Sequence, residues 1–127
     1  MTKQQKQKIL DIIKKDSQIA NRYCVGGKTC VIGGLLKEIG WTDAALAEGN
    51  EKRISSAVTK MKDLIDHYGI DWMQAVRLQI TNDEDEGALN YPLDSKLIAE
   101  LSSKPELIKA RRERLTKLVE SWNETES

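Results

Sequence analysis

The chain reads as an all-α protein, a compact single domain of about six helices with a small extended turn or minimal hairpin near residues 23–29. Three observations predict this. Apolar residues recur at three- and four-residue spacing along most of the 127 residues. The periodic stretches tend to open on Thr, Asp, Asn or Ser, and several close on Gly40, Gly49 or Gly69. Only Tyr23-Cys24-Val25, followed by Gly26-Gly27, departs toward an extended piece and a tight turn.

Taken in order, the first helix is expected over about Lys3 to Ala20, with Ile9, Ile12, Ile13 and Ile19 on one face. Thr29 is the expected N-cap of a second helix, Cys30 to Ile39, that stops at Gly40 with Trp41 folding back on its end. A brief turn follows from Thr42 to Ala47. Asn50 is the expected cap of a long helix to Tyr68, carrying Ile54, Ala57, Val58, Met61, Leu64 and Ile65. Asp71 caps a helix to about Ile80, with Met73, Val76 and Ile80 on one side. Asp94 or Ser95 opens a short helix to Leu101. Ser103-Lys104-Pro105-Glu106 has the form of a capping box for the last helix, which carries Leu107, Ile108, Leu115, Leu118, Val119 and Trp122. Residues 1–122 form the expected domain, and 123–127 are expected to fray.

Hydrophobic residues make up 39% of the chain and charged residues 31%, a globular balance. Twenty Lys plus Arg face twenty Asp plus Glu, so net charge gives no argument for nucleic acid or a membrane surface. No apolar run approaches the roughly 18 residues of a membrane span, and the polar Met1–Lys8 start does not resemble a signal peptide. The expectation is a cytoplasmic protein with Cys24 and Cys30 as thiols. One histidine and no zinc-ribbon spacing leave no expected metal or cofactor.

Four of the eight glycines lie in Gly26-Gly27-Lys28-Thr29-Cys30-Val31-Ile32-Gly33-Gly34. The first four residues look like the end of a phosphate-binding loop, but Arg22 stands where that loop needs its first glycine. Gly26, Gly27, Lys28, Thr29 and Cys30 remain candidates for binding a small anion, a phosphate or nucleotide, at a helix start. Cys30 in a first helical turn is also the place for an activated thiol. A cysteine-dependent hydrolase or transferase would complete it with His67 as base and Asn82 as orienting group. Asp83-Glu84-Asp85-Glu86 fails as a calcium loop, because its sixth and twelfth positions are Ala88 and Asp94. It stands instead as an acidic contact. Arg111, Arg112 and Arg114 form the opposing basic contact, with stems over the core edge and heads in water. The interleaved Glu106, Glu113 and Glu120 argue against a nucleic-acid groove.

Cys30-Val31-Ile32-Gly33-Gly34-Leu35-Leu36, read with Asn82-Asp83, resembles a family of small phage and bacterial proteins of unestablished function. Those proteins pair a helix starting Cys-x-x-Gly-(Ala/Gly)-Leu with a later Asn-Asp at the end of another helix. The likeness covers about Ile9 to Asp83, and Ile80 precedes Thr81-Asn82 in a region where the family often carries tryptophan. The resemblance implies that Cys30, Gly33, Gly34, Asn82 and Asp83 belong together in space, and that the chain is phage-encoded. The expected function is therefore a small non-enzymatic interaction protein acting on a host or defence component in the host cytoplasm. Its acidic and basic patches would be the contacts, and apolar positions on several short helices would suit a homodimer.

Overall fold

The computed structural model describes residues 1–50, 53–84 and 94–125, with side chains for all of these except 53–57. Among them run α1 (Lys3–Lys15), β1 (Cys24–Val25), β2 (Lys28–Thr29), α2 (Val31–Glu38), α3 (Asp43–Glu48), α4 (Arg53–Tyr68), α5 (Trp72–Asn82), α6 (Ser95–Ser102) and α7 (Pro105–Glu120). The two strands form one antiparallel hairpin. The expected all-α class holds, with seven helices among the described residues.

Thr2 and Gln5 close a capping box at the start of α1, which buries Ile9, Ile12 and Ile13. The helix ends at Lys15, not Ala20. Ser17 (φ 63°) and Asn21 (φ 61°) take left-handed backbone conformations that no helix can include. The chain then turns through Gly26 (φ 57°) and Gly27 (φ 82°), the double positive φ of a two-residue hairpin loop. The register sets Cys24 opposite Thr29 and Val25 opposite Lys28. Cys30 follows Thr29, so by strand alternation its side chain leaves the hairpin face opposite to Cys24. The cysteines are two separate buried thiols.

Thr29 belongs to β2, and the cap of α2 is Cys30, whose Sγ accepts from Gly33 N at 3.3 Å. All of Val31–Leu36 is buried. Gly33 and Gly34 explain how a helix fits so deep. A Cβ on Gly33 would collide with the Tyr23 carbonyl oxygen, and one on Gly34 would lie 2.6 Å from Asp16 Cβ. Trp41 does fold back on the helix end, its N–H donating to Leu36 O at 3.0 Å.

α4 buries Met61, Leu64 and Tyr68, and the Tyr68 hydroxyl donates to Leu35 O at 2.6 Å. Val58, expected on that face, is 63% exposed; the side chains of Ile54 and Ala57 lie outside the described residues. α5 starts on an Asp71/Gln74 capping box and buries Ala75, Leu78 and Asn82. The expected Met73/Ile80 face points outward instead, because the α5 face bearing Ala75 and Leu78 is the one that enters the core shared with α2, α4 and α7. Asp94 caps α6 as expected. The capping box at Ser103 does not form: Ser103 Oγ donates back to Glu100 O, and Lys104 is the N-cap ahead of Pro105. α7 packs on α1 and α5 through Leu115 and Val119. Near the end of the chain, Thr125 donates from both N and Oγ1 to Met1 O, while Lys6 Nζ reaches Trp122 O at 2.7 Å.

Gly33→Ala tests the close approach. The added methyl must push α2 off the hairpin backbone, an overpacking cost of about 1–3 kcal/mol or more. Urea denaturation should show the midpoint falling accordingly, and an unchanged midpoint would refute the packing argument.

Candidate functional site

Several of the residues singled out in the sequence converge on the segment from Asp16 to Tyr23, between α1 and the hairpin. It is irregular yet buried: Ser17, Ile19, Ala20 and Tyr23 are fully enclosed, and Asn21 is 8% exposed. Loops seldom run through an interior, because their backbone N–H and C=O groups have no ladder to join. Here side chains from elsewhere in the fold supply the partners. Arg111 Nη1 donates to Ser17 O at 2.7 Å, and Ser102 Oγ accepts from Ala20 N at 3.1 Å. Asn82 Nδ2 donates to Ile19 O at 3.0 Å, and Asp83 Oδ1 accepts from Asn21 N at 2.8 Å. Asn50 Oδ1 accepts from Tyr23 N at 2.8 Å, while its Nδ2 donates to Cys24 O at 2.8 Å. Gln18 N and Ile19 N donate to Thr29 O, tying the segment to the hairpin.

Asn82 has a second task. Its Oδ1 accepts from Val31 N at 2.9 Å, so it caps the first amide of α2 from outside that helix. Cys30, Gly33, Gly34, Asn82 and Asp83 therefore meet around one buried turn, with Thr29 Oγ1 donating to Asp16 Oδ1 at 2.9 Å beside Gly34.

This arrangement decides the fate of each candidate. Two of the amides that an anion would use at the start of α2 are already engaged, Val31 N by Asn82 and Gly33 N by Cys30. Gly26, Gly27 and Lys28 form an exposed hairpin tip, and Lys28 Nζ contacts Ser103 Oγ at 3.3 Å. For the cysteine-enzyme constellation, Cys30 and Asn82 meet at the α2 start, but both are buried and bonded to backbone. His67 is exposed at the end of α4, where its carbonyl accepts from Gln5 Nε2 on α1. The three do not form a relay.

The charged patches divide similarly. Asp83 is engaged with Asn21 and Asn82, and Glu84 pairs with Arg114 at 3.5 Å, so the acidic and basic runs meet each other. Asp85 and Glu86 lie outside the described residues. Arg111 is wholly buried, its two terminal nitrogens 2.7 Å from Ser17 O and Ser102 O. It does not reach water as the stem-and-head expectation required, because the buried segment presents carbonyls that need its donors. Arg112 Nε and Nη2 donate to Asp16 O and Lys15 O, and its side chain stays partly exposed.

Two features escaped sequence reasoning. Arg111 stands four residues before Leu115, a spacing shared with the buried stripe of α7, but its charge sent the expectation to water. Lys60, four residues before Leu64, is only 2% exposed, with its Nζ 4.7 Å from the Tyr23 ring centroid and 5.1 Å from that of Trp41. Trp41 is itself held by an Nε1 bond to Asp63 Oδ2 at 2.8 Å. Burial pushes the Lys60 ammonium below its ordinary range, with Cys30 and Glu48 acting the other way. The ring faces also oppose the shift, since they attract the charged form. Burial, and then the Asp43 carboxylate, push the Cys24 thiol up.

Among the described residues no three His, Cys, Asp or Glu side chains are placed to hold a metal ion, and no helix is long and apolar enough to cross a membrane. No family model, curated protein or solved structure matches the chain. What the fold and site define is a small helical domain whose motif residues hold an internal loop in place.

Asn82→Ala would orphan Val31 N and Ile19 O together, at about 1–3 kcal/mol for each buried group. Thermal melting should show a large drop in Tm, larger than for exposed Asn123→Ala. For Lys60, the folded value lies below the unfolded one, so the unfolded chain binds more protons in the window between them. Stability therefore rises with pH across that window, and the burial cost is present in full below it. Lys60→Met should be more stable than the wild type at neutral pH, with the gap closing as pH climbs toward the ordinary lysine value of about 10.4. A pH-independent gap would refute the assignment.

Proposed function

We propose that the protein works by binding a protein partner rather than by catalysis, and that it is a phage-encoded product acting on a host or defence component in the host cytoplasm. One observation carries the first part: the groups that suggested chemistry are committed to the fold. Cys30 and Asn82 cap α2, Asp83 holds the buried segment, and His67 stands apart at the surface. On the surface of α7, Lys109 and Lys117 are exposed and have no ion-pair partner among the described residues. The reduced thiols of Cys24 and Cys30 suit a reducing compartment. The phage origin rests on the resemblance in the Cys30–Leu36 and Asn82-Asp83 motifs.

Thiol reactivity separates this reading from an enzyme. In a Cys24→Ala background, Cys30 should be alkylated only at the rate of unfolding, and urea should accelerate it steeply. Rapid labelling of the folded protein, with a pH midpoint well below the free-thiol value of about 8.5, would overturn the non-enzymatic reading. Affinity capture from bacterial lysate addresses the partner: a specific protein retained by the wild type should be lost with Lys109→Glu/Lys117→Glu.

A further inference from the structure

α7 has two faces, and only one belongs to the core. Arg111, Leu115 and Val119 point inward. On the outer side, Pro105, Ile108, Lys109, Arg112, Glu113 and Lys117 line a shallow groove of about 670 Å³. These positions recur at three- and four-residue spacing, so they form a straight strip along the helix. Thirteen residues, from Pro105 to Lys117, give the strip a length of about 18 Å.

We infer that this strip is the docking site for an acidic amphipathic helix of a partner protein. The inference rests on the interaction reading above and names the chemistry of the partner.

Charge complementarity selects the occupant. Three cations line the strip against the single carboxylate of Glu113, and none of the three has an ion-pair partner among the described residues. The Asp16 carboxylate acts on Arg112 electrostatically, but its Oδ1 is committed to Thr29. A second copy laid on the same strip would set like charges face to face, which disfavours self-pairing. A nucleic-acid backbone would satisfy the cations, yet it would meet Glu113 in mid-strip and leave Pro105 and Ile108 without a use. An acidic amphipathic helix uses all of it. Its apolar ridge covers Pro105, Ile108 and the methylene stems of the lysines. Carboxylates flanking that ridge reach Lys109, Arg112 and Lys117.

Arg112 is prepared for this. Its Nε bond to Asp16 O (3.0 Å) and Nη2 bond to Lys15 O (3.1 Å) fix the guanidinium plane before any partner arrives. Nη1 is left without an acceptor among the described residues. A fixed fork loses little side-chain freedom on binding a carboxylate. The exposed Lys14 and Lys15 at the end of α1 extend the same positive field.

The test uses a fluorescent synthetic peptide of about four helical turns, with leucines at i, i+3 and i+7 flanked by glutamates, and a scrambled peptide of the same composition. Anisotropy should show saturable binding of the amphipathic peptide, weakened at least tenfold on scrambling and at least tenfold by Lys109→Glu/Lys117→Glu. The matched charge change Lys62→Glu/Lys96→Glu, away from α7, should alter binding less than threefold. All four lysines are exposed, and melting curves establish that each variant folds. Equal binding of the scrambled peptide would overturn the inference, since charge alone would then explain it. Competition by duplex DNA with no peptide specificity would also overturn it. So would a dimer, seen by sedimentation, that Lys109→Glu/Lys117→Glu dissolves. If the peptide fails to bind while the captured partner is still lost in Lys109→Glu/Lys117→Glu, the helix assignment falls and the interaction reading stands. If capture ignores those substitutions as well, both fall.

Discussion

The fold depends on one unusual bargain: an irregular segment, Asp16–Tyr23, lies in the interior with its backbone polar groups satisfied by side chains. Regular elements solve that problem internally, and this segment has no such ladder. Asn50, Asn82, Asp83, Ser102 and Arg111 do the work instead, from four separate stretches of the chain. The consequence is mutual. Those five residues hold the segment, and the segment in turn fixes where α2 can begin.

α2 illustrates the coupling. It is short, and every residue from Val31 to Leu36 is buried. Its depth requires glycine at 33 and 34, where the Tyr23 carbonyl and the Asp16 side chain come too close for a Cβ. Its first amides require partners that water cannot provide at that depth. Asn82 supplies one and the Cys30 thiol another. A pattern that resembled a ligand loop or a nucleophile on paper is thus a device for burying a helix start. The docking surface we propose lies elsewhere, on the outer strip of α7.

Buried cations follow the same logic with different partners. Arg111 is answered by the carbonyls of Ser17 and Ser102, which a fork of fixed geometry can reach together. Lys60 is answered by the faces of Tyr23 and Trp41, a weaker arrangement that leaves its ammonium disfavoured. Both sit at core spacing in their helices. Their long stems contribute packing while the heads meet the local dipoles.

By itself the sequence determined the helices with strong periodicity and chemical caps: α3 from Thr42, α5 from Asp71, α6 from Asp94, and the glycine turn of the hairpin. These are local properties, set by side chains within one turn of the backbone they cap. Cys30, Gly33, Gly34, Asn82 and Asp83, which the sequence reading groups, meet around one turn in the fold. Only the tertiary structure decided where α1 stops, that Asn50 holds the hairpin backbone, and that Arg111 turns inward. It alone decided that Met73 and Ile80 face out and that Cys30 is a cap. The physical reason is range: each of these outcomes depends on a hydrogen bond or contact between residues far apart in sequence, and no local pattern specifies which distant carbonyl or amide will be waiting.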